Sequence, residues 1–76
     1  MAQINHPRHP SQLESSKWTS TESRIGFRHF EVDSVDTKTG TAVLRPTLDR
    51  SQVLEIPWRE LRDRQVWLPG WQGDLN

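Results

Sequence analysis

Ile56-Pro57-Trp58-Arg59-Glu60-Leu61-Arg62-Asp63-Arg64-Gln65-Val66-Trp67-Leu68-Pro69-Gly70-Trp71 holds three of the chain's four tryptophans and its only Pro-Gly dipeptide. Pro57 suits the first position of a short helical turn, where the N–H it lacks has no intrahelical partner anyway. Trp58 and Leu61 then fall three apart on one face, with Arg59, Glu60 and Arg62 directed elsewhere. Glu60 precedes Arg64 by four, the favourable order for an ion pair worth about 0.2–0.5 kcal/mol. One or two turns is the limit, because so short a helix is marginal in water and must be held by packing. Leu68-Pro69-Gly70-Trp71 has Pro at i+1 and Gly at i+2, as a type II turn requires. Such a turn draws Trp67, Leu68 and Trp71 into one expected aromatic clasp.

Composition bounds what this segment closes over. The 76 residues amount to one domain. Lys plus Arg equals Asp plus Glu at ten each, so no net charge attracts nucleic acid or an anionic membrane. The absence of cysteine excludes disulfides, thiol chemistry and thiolate metal sites. No apolar run approaches the ~18 residues of a spanning helix, and Met1 to Pro7 lacks the order of a secretory signal. A soluble cytoplasmic protein with no membrane contact is expected. Large aliphatics are few, while each tryptophan buries roughly 150–250 Å². Most of the indole area is needed for the core.

Residues 1–16 contain two His-Pro steps and little apolar material, and read as a flexible, disordered arm. His6 and His9 are three apart, but Pro7 and Pro10 exclude the helix that would align them on a metal. Residues 17–76 form the single domain. Lys17-Trp18-Thr19 opens it and Ser20 to Ser23 reads as a polar loop. From Phe27, Phe30 and Val32 alternate with His29, Glu31 and Asp33 as a half-buried strand. Asp36-Thr37-Lys38-Thr39-Gly40 is a hairpin loop with Gly where φ is positive. Thr41 to Leu48 is a second strand, interrupted by Pro46 at an edge, bulge or bend. After a turn at Leu48-Asp49-Arg50-Ser51, Gln52 to Ile56 is a third. A bent meander closed by a helical turn near Pro57-Arg64 is the arrangement of an SH3-like small barrel. The predicted fold is therefore mainly β, an antiparallel meander or barrel of three to five strands. Its predicted core is Trp18, Phe30, Val32, Leu44, Leu54, Ile56, Trp58 and Leu61.

Lys17-Trp18-Thr19, His29-Phe30 with Val32, Pro57-Trp58-Arg59-Glu60-Leu61 with Asp63, and Trp67-Leu68-Pro69-Gly70-Trp71 are spaced as in a known set of proteins. From Lys17 to Trp71 the chain resembles the small tryptophan-rich proteins of cyanobacteria and some proteobacteria. That resemblance implies a small soluble bacterial protein and supplies no activity, cofactor or partner.

His29 is the only histidine inside the predicted domain. Catalysis needs a base and a nucleophile in hydrogen-bond reach, and only dispersed Ser and Thr are offered. A sheet-surface histidine that packs on, or donates to, a carbonyl is the favoured reading. Glu31, Asp33 and Asp36 read as solvent-facing residues. Arg59, Arg62 and Arg64 beside Trp58 and Trp67 suit stacking on single-stranded nucleic acid. They equally suit covering indole faces with arginine stems, with Glu60 and Asp63 neutralising the heads, and this reading is favoured. No catalytic residue, cofactor or metal site is expected, and the chain is not read as an enzyme. The leading function is a non-enzymatic module binding a protein partner through Arg59, Arg62, Trp67 and Trp71. The alternative is an RNA or single-stranded DNA module that adds Arg45, Arg50 and Arg64. Trp71, beyond the last predicted element, has the fewest neighbours to bury it and is expected to be the most exposed indole.

Overall fold

A computed structural model describes residues 13–73. The strands are β1 (Lys17–Arg24), β2 (Phe27–Asp36), β3 (Thr41–Pro46), β4 (Leu54–Pro57) and β5 (Trp67–Pro69). They form one antiparallel sheet in the order β4-β3-β2-β1-β5, curled into a half-barrel. A 3-10 turn, Trp58–Arg62, leads from β4 across the open side toward β5. The expected mainly β fold is observed, at five strands.

Strand alternation sets two faces. Trp18 pairs with Phe30, Phe30 with Pro46, and Val32 with Leu44. Ala42 pairs with Ile56, and all of these are buried. This inner face is completed by Trp58, Leu61, Trp67 and Leu13. Leu54 is half-buried and packs against the cluster from edge strand β4 rather than lying within it. A bulge between Val32 and Ser34 shifts the phase of β2, so Val35 rather than Ser34 pairs with buried Ala42. The strand continues to Asp36 for that reason.

Proline fits where its missing N–H is harmless. Thr47 N donates to His29 O at 2.9 Å, so Phe30 and Pro46 form the non-hydrogen-bonded pair and the Pro46 nitrogen points away from β2. Pro69 is on edge strand β5. Pro57 sits just before the 3-10 turn in extended geometry (φ −60°, ψ 131°).

Several local expectations are corrected. Ser20 to Ser23 is not a loop but the second half of β1. Ser20 lies opposite Trp67, so a small polar residue is buried by a ring that follows 47 positions later in the numbering. The turn after β1 is Ile25-Gly26, with φ of +47° and +87°. Positive φ at both central residues is the type I′ requirement for a two-residue hairpin. Residues 1–12 of the expected arm lie outside the described residues, but its last residues belong to the domain. Leu13 is fully buried, Ser15 N donates to Val32 O, and Val32 N to Ser16 O, both at 2.9 Å. Ser16 Oγ also bridges Trp18 Nε1 to Leu13 O.

Candidate functional site

The four indoles have four different environments. Trp18 lies inside, its N–H donating to Ser16 Oγ at 2.8 Å. Trp67 is fully buried, edge-on to Phe30 at 5.6 Å between centroids and 79° between planes. Its N–H donates to Glu60 Oε2 at 2.8 Å, and the same oxygen takes Arg24 Nη2 at 2.9 Å. The Arg24 guanidinium lies 5.3 Å from the Trp67 centroid. A carboxylate that looked like a neutraliser of its helical neighbours is thus engaged by an indole and by an arginine 36 positions back. Trp67 is consequently removed from the expected contact surface. It is a core residue, because strand alternation turns it inward opposite Ser20.

Trp58 belongs to the core at 9% exposure. Its indole is covered by two guanidiniums, Arg59 at 5.7 Å and Arg62 at 5.2 Å from the centroid. Both arginines are exposed. Residues i and i+3 of a 3-10 turn eclipse one another. Trp58 and Leu61 therefore share the inner side, while Arg59 and Arg62 are stacked on the outer one.

Trp71 is the exposed indole, at 38%. Gly70, with φ +78°, ends β5 and turns the chain over β1 onto the outer face of the sheet. There Thr19 Oγ1 donates to Gly70 O at 2.8 Å and accepts from Gln72 N at 2.9 Å. His29 contacts Gln72 O at 2.6 Å through Nε2. A carbonyl only accepts, so Nε2 is the donor in this contact. His29 is not on the surface as expected; the tail covers it, leaving 1% exposed. His29 Nδ1 and Thr47 Oγ1 are both buried without a hydrogen-bond partner. The Trp71 N–H donates to Phe30 O at 3.0 Å and Lys17 Nζ lies 5.3 Å from its ring centroid. The expected clasp of Trp67, Leu68 and Trp71 is opened: Trp67 goes inward and Trp71 across the sheet.

Arg45 and Arg50, also considered for nucleic acid, are each engaged by a carboxylate. Arg45 pairs with Asp33 at 3.6 Å and Arg50 with Glu31 at 3.4 Å. On the same outer face, an open groove of about 370 Å³ runs between Ser34, Asp36, Thr41, Val43 and Glu55. No tryptophan lines it. No helix among the described residues is long and apolar enough to cross a membrane.

Arg59 and Arg62 therefore come together over Trp58, Trp71 stands apart on the outer face, and Trp67 belongs to neither surface. The signal that could have placed Trp67 is its spacing from Pro69, which puts both on one side of a short strand. Comparison with curated proteins and with solved structures found no match. A family described as tryptophan-rich protein (DUF2389) matches residues 16–72. That span runs from the serine that receives the Trp18 N–H to the glutamine that covers His29, taking in all four indoles and all five strands. The chain belongs to this tryptophan-rich family.

Proposed function

We propose that this protein is a non-enzymatic binding module that engages a protein partner through Trp71. The observation that carries the reading is how that ring is held. Its N–H is fixed to the Phe30 carbonyl, its neighbours in the tail are pinned to Thr19 and His29, and yet the residue remains 38% exposed. A large aromatic immobilised before contact loses little entropy when a partner covers it. Tryptophans of this kind are the residues that dominate interface energies. The strand order with a 3-10 turn ahead of β5 supports an SH3-like architecture.

The test is affinity capture from source-cell lysate with wild type, Trp71→Phe and Trp71→Ala, each shown folded by thermal melting. Trp71→Ala is expected to lose its partner and Trp71→Phe to retain part of it, with little response to added salt. Equal capture by all three proteins would remove Trp71 from the interface. Recovery of nucleic acid in place of protein, falling steeply with salt, would overturn the protein-binding reading.

A further inference from the structure

The charge arrangement on the 3-10 turn differs from what its sequence suggests. Arg59 and Arg62 alternate with Glu60 and Asp63, which looks like self-neutralisation. Glu60 Oε2 is engaged by Trp67 and Arg24. Asp63 Oδ1 accepts Gln65 N at 2.9 Å, closing the turn that leads into β5. Among the described residues, neither Arg59 nor Arg62 forms an ion pair. Two like charges are held at 5.7 and 5.2 Å from one indole centroid. Neither charge is neutralised by a carboxylate, so a bound anion would meet both uncompensated.

We infer that Arg59 and Arg62, stacked on Trp58, form a receiving site for carboxylates of an acidic peptide segment. Guanidinium is a planar fork that matches a carboxylate with two parallel hydrogen bonds. Lying against the indole reduces the freedom each arginine loses on binding. The chemistry points to a short acidic peptide and away from a nucleic-acid strand for two reasons. Arg24, Arg45 and Arg50 are each paired with a carboxylate. A tight phosphate footprint needs several uncompensated cations in a row. Trp58 is also only 9% exposed, so the indole beneath these two arginines offers no open face for a base to stack on. The site stands independently of Trp71, which lies on the outer face of the sheet.

The test is titration of the isotopically labelled full chain at low ionic strength with a capped hexaglutamate peptide, with hexauridylate and with inorganic phosphate. Hexaglutamate is expected to shift the Arg59 and Arg62 Nε–H signals and the Trp58 indole signal. The Arg59→Gln/Arg62→Gln double variant should bind it at least about tenfold more weakly, a loss of about 1.4 kcal/mol. Arg59→Lys/Arg62→Lys, which keeps the charge and loses the fork, should fall between. Trp71→Ala should bind as wild type does, which separates this site from the protein contact proposed above. Shifts spread evenly over Lys38 and the paired arginines would overturn the inference. So would unchanged binding by the double glutamine variant, or tighter binding of hexauridylate or phosphate than of hexaglutamate. If the glutamine variant fails to fold, the wild-type shift map and the lysine variant still decide.

Discussion

Trp67 and Trp71 are four residues apart and end in opposite environments. In an unbroken strand, residues 67, 69 and 71 would share one face. Trp67 does face inward, fully buried between Phe30 and the Arg24–Glu60 pair. Gly70 breaks the alternation, and Trp71 emerges on the other side of β1 against Phe30 O and Lys17. One glycine in a conformation that other residues enter at a cost separates an indole that stabilises from an indole that is displayed. The aromatic content of the segment therefore says little about role; the turn between the rings assigns it.

The comparison breaks first at Trp67. Trp67→Ala is expected to cost about 3–5 kcal/mol, the range for a buried large aromatic, a loss comparable with the total stability of many small domains. Trp71→Ala should cost about 1–2 kcal/mol, for one hydrogen bond and the partial cover of the ring. Urea unfolding of the two variants side by side measures the gap, and equal losses would mean the faces are not distinct. Leu13→Ala sharpens the inner face further. It should cost about 2–5 kcal/mol, because Leu13 is fully buried, and an unchanged midpoint would return it to the arm. The smallest effect lies on the loop that carries Arg50 to Glu31 on the outer side. The Ser51 hydroxyl and then the Ser51 N–H hold the Asp49 carboxyl below the usual carboxylate range. A depressed folded pKa contributes stability above the unfolded value of about 3.9 and loses it as pH falls through the folded one. Asp49→Asn should remove this component. The difference in unfolding midpoint from wild type should be constant above about pH 5 and shrink below about pH 4.

Much of the fold is legible where local chemistry and tertiary role agree. Asp36 Oδ1 accepts Lys38 N at 2.9 Å and Gly40 has φ +75°, so the loop after β2 follows from its residue types. Trp58 and Leu61 turn inward because a 3-10 turn and an α-turn both place i and i+3 together. The rest depends on distant partners. The first hairpin turn carries Ile25, a β-branched residue with φ +47° and 46% exposure. Asn would suit that position better, and Ile gives no turn signal. The second half of β1 reads as a loop because Ser20 to Ser23 are polar. Thr19 and Ser20 are buried only because the Gly70–Gln72 tail covers one and Trp67 the other. Leu13 is a lone aliphatic in a polar stretch until Ser16 fixes it beside Trp18. Arg59 and Arg62 are legible as surface residues, but not that Glu60 leaves them: it finds its ion-pair partner at Arg24, which no local spacing indicates.

β1 lies between β2, its neighbour in sequence, and β5, the last of the described strands in chain order. As the chain leaves the ribosome, β1 through β4 can pair one after another. The far edge of β1 must wait for residues about fifty positions later, as the contact from Thr19 to Gly70 at a separation of 51 shows. During that interval a row of unpaired backbone groups stands beside Trp18 and Phe30, the kind of edge on which a second nascent chain can add a strand. A chain cut short before Trp67 keeps that edge open, because β5 is what covers it.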